Sequence, residues 1–238
     1  MGAPIQAVVL CGGVGARLRP LTYAVPKPLL PVGGRPILEH ILDRLAAAAL
    51  TEVALATGFR SELIEQHFGP AYRGTTLHYR REQEPLGTAG VLNLVRGAMA
   101  EVFVVTNGDL LTDIDVRALL DAHRDRGAAV TVCTRALPVE VAYGVVDVDG
   151  DRITRIREKP EVQVPINAGV YVLSAPIWEL LPQGAFTLPE LVNAAIAASL
   201  PTLAYSFDDY WIDIGAMPDY LRANLDLAVA AGQAQSER

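Results

Sequence analysis

Short Val-rich runs alternate along the chain with segments of helical periodicity, and this alternation leaves few folds open. Residues 6–11, 53–57, 103–106 and 129–134 are apolar and closed by Gly, Asn or Arg, the pattern of buried strands. Between them, residues 36–49, 61–68, 89–99 and 115–126 read as helices; the last has apolar residues at 116, 119, 120 and 122 behind an acidic start. Strand–helix–strand order demands right-handed crossovers and a mainly parallel sheet. Near residue 143 the rhythm changes. Residues 144–148, 152–157 and 168–173 read as antiparallel strands, with Val148-Asp-Gly-Asp151 as a hairpin turn. A helix over 188–199, a strand over 203–207 and an amphipathic helix over 217–231 complete the chain. The expected fold is α/β: a Rossmann-like mixed, mainly parallel sheet flanked by helices. With no linker or internal repeat, residues 1–238 are expected to form a single domain, with a first half ending near 142 and a second half over 143–238.

A chain of 238 residues can bury roughly 70% of its unfolded surface without disulfide or metal staples. Its 51% hydrophobic and 20% charged content is too apolar for disorder, and no run approaches the ~20 apolar residues of a membrane span. A net charge of −7 without a basic run argues against nucleic acid as a partner, although a few cations gathered in one cleft suffice for phosphate. Cys11 and Cys133 lie in apolar runs and read as buried thiols of a reducing compartment. The N-terminus lacks a signal-peptide pattern, and after Gly2 the myristoylation position is Gln6. The expected setting is cytoplasmic, away from membranes.

Directly after the first run stands Cys11-Gly-Gly-Val-Gly-Ala-Arg-Leu18. Glycines at the end of a buried strand let backbone approach phosphate closely, or simply make a tight turn. A dinucleotide fingerprint begun at Gly13 needs glycine at 18, where Leu18 stands. A Walker loop ends in Gly-Lys-Ser/Thr, and this one does not. The following stretch holds prolines at 20, 26, 28, 31 and 36, which forbid a regular helix and predict a stiff, extended loop. Lys27, between Pro26 and Pro28, is thereby pre-positioned, which lowers the entropy lost on binding a polyphosphate.

Gly12-Gly-x-Gly-x-Arg-Leu-x-Pro-Leu-Thr22 and Pro26-Lys-Pro-Leu-x-Pro-Val-x-Gly-Arg-Pro36 together resemble the signature of the sugar-1-phosphate nucleotidylyltransferases, the nucleotide-sugar pyrophosphorylases. The resemblance continues at Pro85-Leu-Gly-Thr-Ala-Gly90, Asn107-Gly-Asp109, Glu158-Lys-Pro160, Asn167-Ala-Gly-Val-Tyr171 and Trp211-Ile-Asp-Ile-Gly215. It covers nearly the whole chain and is strongest to the short mannose- and manno-heptose-1-phosphate guanylyltransferases. It ends before the left-handed β-helix domain of many members, and Ala216 stands where Thr is common.

The resemblance implies transfer of a nucleotidyl group from an NTP to a sugar 1-phosphate, with release of pyrophosphate. The attacking phosphate has a second pKa of ~6 and needs no general base. This fits a chain whose His40, His67, His78 and His123 show no triad or metal-ligand spacing. The problem is then electrostatic. Asp109 and Asp213, at strand ends, would hold Mg²⁺, although alone they would serve as a turn cap and a helix N-cap. Arg17 would reach the triphosphate and Lys27 the α-phosphate and leaving pyrophosphate. Leu10, Gly12, Gly13, Gly15, Asn107 and Gly108 would frame the nucleotide, with Gly87 and Thr88 opening a helix against it. Glu82 stands where thymidylyltransferase relatives carry Gln. A carboxylate accepts two hydrogen bonds and suits the two donors of guanine, which favours GTP, unless Glu82 pairs with Arg80 or Arg81.

On the sugar-phosphate side the resemblance implies Lys159 for the phosphate, Glu158 and Asn167 for hydroxyls, and the Gly144 backbone. Tyr143 and Trp211 would pack on the sugar or belong to the core, and Asn167 would equally serve as a satisfied turn residue. The family often forms dimers or tetramers. The C-terminal helix offers an apolar face for a homo-oligomer or for its own domain. Two other functions are open on sequence alone: a silent nucleotide-sugar-binding subunit, and the same chemistry with another NTP or a cyclitol or other phosphate acceptor.

Overall fold

The computed structural model describes residues 3–236. β1 (Ile5–Cys11) leads through a long loop to a short hairpin, β2 (Pro31–Val32) and β3 (Arg35–Pro36). Next come α1 (Ile37–Ala47), β4 (Glu52–Thr57), α2 (Ser61–Phe68), β5 (Ala71–Tyr72) and β6 (Thr75–Arg81). A single helical turn, α3 (Gly87–Gly90), precedes β7 (Met99–Asn107), β8 (Leu110–Thr112), α4 (Val116–Asp125) and β9 (Val130–Glu140). The hairpin of β10 (Val145–Asp149) and β11 (Arg152–Arg157) is followed by the long β12 (Glu161–Ser174). Then come α5 (Leu188–Ala197), β13 (Thr202–Ser206), β14 (Trp211–Asp213) and α6 (Met217–Ser236).

Eight strands form one sheet in the order β13-β9-β12-β7-β1-β4-β6-β5. β7, β1, β4 and β6 are mutually parallel, while β12 lies antiparallel between β7 and β9. The sheet is therefore Rossmann-like, mixed and mostly parallel, as expected. Side chains alternate across it. Ala7 and Val9 of β1 face a core built with Leu38, Leu42, Ile64 and Leu119 from α1, α2 and α4. Val8, Ala54 and Ala56 face the opposite core, closed by Leu92, Leu188 and Leu191. Helices cover both faces, as buried parallel strands require.

Three details differ from the sequence reading. β6, paired parallel to β4 from Glu52↔Thr76 to Thr57↔Arg81, was not expected. Its sequence Thr-Thr-Leu-His-Tyr-Arg-Arg is polar because only the two-residue β5 lies beyond it, so its exposed side does not need apolar residues. The helix expected over 89–99 breaks into α3 and two 3₁₀ turns, Val91–Leu94 and Arg96–Ala98. Gly90 and Gly97 stand within that span and weaken helix continuity. The proline-rich loop is not extended. It coils through 3₁₀ turns at Ala16–Leu18, Leu21–Tyr23 and Lys27–Leu29, which tolerate proline at their first positions.

α6 packs on its own chain through buried Ala223 and through Tyr220, whose hydroxyl donates to the Pro31 carbonyl at 2.7 Å. Leu221, Leu225 and Val229 are exposed. The helix runs through Ser236. The polar tail 233–238, where fraying is expected, is instead helical as far as Ser236, while its last two residues and the myristoylation test at Gly2 lie outside the described residues. No described helix is long and apolar enough to cross a membrane.

Candidate active site

Parallel strands end on the same side of the sheet, so the loops leaving β1, β4, β6 and β7 meet there. They enclose a cleft of about 780 Å³. Nine residues expected at the nucleotide line it, Leu10, Gly12, Gly13, Gly15, Glu82, Gly87, Thr88, Asn107 and Gly108, as do Arg17, Lys27 and Asp109 of the expected catalytic groups, whereas Asp213 does not. Gly15 adopts φ 61°, in the left-handed region, and its carbonyl accepts a 2.8 Å hydrogen bond from the buried Thr22 hydroxyl. This folds the glycine loop onto the 3₁₀ turns behind it. Gly108 donates its N–H to Leu10 O at 3.0 Å, and a Cβ there would stand 2.4 Å from that oxygen. Gly108→Ala is therefore expected to push β7 from β1 and cost on the order of 2 kcal/mol, about 4–8 °C in a thermal melt. A wild-type melting temperature would disprove the close contact.

The charged centre is assembled by two short strands. β8 and β14 pair antiparallel with Leu110 opposite Asp213, and Ile214 N–H donates to Asp109 O at 3.0 Å. Asp109 and Asp213 are thus neighbours. Lys27 Nζ donates to Asp109 Oδ2 at 2.5 Å. The remaining Asp109 oxygen, Oδ1, and Asp213 Oδ1 are both buried without a hydrogen-bond partner. Burial pushes the Asp213 carboxyl above the ordinary aspartate range, and the Asp109 charge adds to this, while Lys27 and Arg17 oppose it. The Arg17 guanidinium lies over Gly215, 3.3 Å from where a Cβ would stand.

Buried polar atoms are normally paired. Two carboxylate oxygens left bare beside each other fit a hard divalent cation, which takes oxygen ligands and keeps water and substrate phosphates in its remaining positions. Among the described residues no cluster of three or more His, Cys, Asp and Glu gathers for a metal, so the protein would supply these two carboxylates.

The model of one protein family, described as Nucleotidyl transferase, matches residues 6–229. This chain belongs to the nucleotidyl transferase family. It is 38% identical over 231 residues to a mannose-1-phosphate guanylyltransferase of Mycobacterium tuberculosis, covering 94% of this chain and 64% of that protein. It is 33% identical over 230 residues to the D-glycero-alpha-D-manno-heptose 1-phosphate guanylyltransferase of Aneurinibacillus thermoaerophilus, covering 94% of this chain and 98% of that one. The chain thus spans less than two thirds of the first of these relatives. Among solved structures, HddC from Yersinia pseudotuberculosis superposes with a TM-score of 0.72 at 26% identity, over 93% of this chain and 99% of that one. The same protein has been solved complexed with GMP-PN.

In this member of the family Glu82 is not turned toward arginine. Its Oε2 accepts the Leu86 N–H at 3.1 Å, and its Oε1 lies against Gly12, 2.2 Å from where a Cβ would stand. Arg80 instead donates to the Tyr79 carbonyl. Gly87 and Thr88 do open a helix, but one of a single turn, and the Thr88 hydroxyl accepts the Leu188 N–H at 2.8 Å.

The residues expected at the sugar phosphate are not part of that cleft's lining. Tyr143 is 78% exposed, which removes its core alternative. Gly144 faces Glu158, whose Oε2 lies 3.2 Å from where a Cβ would stand. Lys159 holds φ 40° between β11 and β12. Asn167 donates to the Tyr171 hydroxyl and accepts the Gly169 N–H at 3.0 Å, so it behaves as the satisfied turn residue. Its turn is the point where β12 shifts register against β9. Trp211 Nε1 donates to Ala168 O at 2.9 Å in the same turn.

Sequence reasoning missed Gly58, Phe59, Gln83, Glu84 and Val91 as lining residues. Gly58 was within reach of it. A glycine directly after the second parallel strand is the same signal as the glycines after the first, and here a Cβ would stand 2.7 Å from Gly12 O.

Proposed function

We propose that this protein transfers a guanylyl group from GTP to a manno-configured sugar 1-phosphate, mannose 1-phosphate or a manno-heptose 1-phosphate, releasing pyrophosphate. The observation that carries the reading is the convergence of Arg17, Lys27, Asp109 and Asp213 around two bare carboxylate oxygens beside a glycine-lined cleft. A phosphate oxygen of the sugar phosphate attacks the α-phosphorus in line. A new P–O bond forms as the bond from the α-phosphorus to the bridging oxygen breaks, and that electron pair leaves on pyrophosphate.

Mg²⁺ held by Asp109 and Asp213 would neutralise phosphate charge at the reacting centre. Lys27 places a fixed ammonium where charge develops, and its 3₁₀ turn between two prolines limits its reorganisation. Arg17 offers its planar fork to the triphosphate. Glu82, beside Gly12, would accept from the guanine edge. Tyr143, Gly144, Glu158, Lys159, Asn167 and Trp211 would form the acceptor side. The free, buried Cys11 and Cys133 support a reducing, cytoplasmic setting.

The test is pyrophosphate release with Mg²⁺, pairing GTP, dTTP, UTP, CTP and ATP with mannose, glucose and manno-heptose 1-phosphates. Turnover is expected with GTP and a manno-configured acceptor, and only when both substrates are present. Preference for another NTP would discard the Glu82 argument, and silence with every pair would overturn the reading.

A further inference from the structure

We propose that Phe59 is the wall on which the nucleotide base stacks, and that Arg60 is the positioning residue that holds this wall. The proposal rests on the nucleotidyl-transfer reading above. A base offers two things to a protein: an edge of donors and acceptors, and a flat π-face. Glu82 addresses the edge. Among the described residues lining the cleft, Phe59 is the one aromatic side chain, and it keeps 36% of its surface exposed.

Its position follows from the sheet. β4 and β6 are adjacent and parallel, with Thr57 opposite Arg81. Phe59 and Glu82 therefore leave neighbouring strand ends, two residues and one residue past that pair. Both are pinned to the same point of the glycine loop. Gly58 lies flush on Gly12 O, and Glu82 Oε1 lies against the Gly12 backbone. The wall and the edge reader thus flank one glycine.

Arg60 takes φ 54°, a backbone state that a non-glycine residue keeps only when its surroundings hold it there. Two contacts do so. Its guanidinium carbon sits 5.5 Å from the Phe59 ring centroid, and its Nη1 donates to Ala24 O at 3.1 Å. Arg60 does not line the cleft, whereas Phe59 does. The guanidinium packs on the ring from outside the cleft lining, so the part of the ring that lines the cleft stays open to a ligand. The Ala24 bond also ties the wall to the loop that carries Lys27.

Calorimetric binding to the full chain, with Mg²⁺ present, tests this with two probes: GTP, and inorganic tripolyphosphate, which lacks a base. Phe59→Ala is expected to weaken GTP about 10–100-fold, the range of stacking on one aromatic ring, and to leave tripolyphosphate unchanged. Phe59→Trp is expected to restore GTP binding. Arg60→Ala is expected to lose about 3–10-fold for GTP and nothing for tripolyphosphate. GTP affinity within twofold of wild type in Phe59→Ala overturns the wall, as does an equal loss for both probes, which would mark a collapsed loop. Unchanged GTP affinity in Arg60→Ala overturns the positioning role. Wild-type protein that binds tripolyphosphate but no nucleoside triphosphate overturns the nucleotidyl-transfer reading instead, and this proposal with it.

Discussion

Asp213→Asn is expected to lower kcat by about 10³-fold while raising the melting temperature, and Asp109→Asn to match the first effect without the second. Both changes keep shape and remove a charge that the proposed cation site requires. The stability signs differ because the partners differ. Asp213 Oδ1 is buried and unpaired, and burial with the Asp109 charge holds its carboxyl above the ordinary range. Folding therefore disfavours the charge, and Asn removes it. Removing a buried charge that Lys27 and Arg17 only partly offset is worth on the order of 1 kcal/mol, about 2–4 °C in a protein of this size.

The pH dependence of that gain has a definite sign. A carboxyl raised on folding costs stability above its folded pKa, and the cost fades as pH falls through that pKa toward the unfolded value near ~3.9. The gap between Asp213→Asn and wild type should therefore be widest at neutral pH and close in acid. Asp109, by contrast, accepts Lys27 Nζ at 2.5 Å, so its replacement discards a partner. A lower melting temperature for Asp213→Asn at pH 7, or near-normal kcat in both variants, would refute the paired-carboxylate site.

Lys27→Ala is expected to cut kcat by about 10²–10³-fold, with little change in KM for the sugar phosphate. Lys27 is only 11% exposed and its partner Asp109 26%. Its loss leaves two neighbouring carboxylates with one fewer cation, and because Lys27 lowers the Asp213 pKa, that carboxyl rises further. Breaking the pair should also cost about 3 kcal/mol, the low end for buried pairs, since Asp109 keeps some contact with water. Lys27→Arg should rescue stability more than rate. The fork is longer, and Pro26 and Pro28 hold the backbone where a compact ammonium fits. A raised sugar-phosphate KM with intact kcat would move Lys27 to the other substrate.

Strands buried on both faces must be apolar, so β1, β4 and β7 were legible as runs. β6 was not, because position near an edge frees its outer residues to be polar. The glycine loop, Lys27 and Asp109 were legible through motif spacing, which records local backbone needs. Phe59 was not, because its place depends on Gly58 meeting Gly12, a contact between loops 46 positions apart. Helix 89–99 failed for a local reason: Gly90 and Gly97 break the repeat that its apolar residues trace. Trp211 and Asn167 were each singled out, but only the turn at Asn167–Gly169 shows that both serve it, Asn167 by accepting the Gly169 N–H and Trp211 by donating to the Ala168 carbonyl.

Asp109 and Asp213 stand 104 positions apart, as 213 less 109 gives. On a ribosome adding ~5–20 residues per second, the second carboxylate follows the first by roughly 5–20 s. During that interval the glycine loop, Lys27 and Asp109 already exist, yet β8 waits for β14 and half the proposed cation-binding pair is missing. A cation site that needs both carboxylates would therefore form only once β14 has been made and has paired with β8.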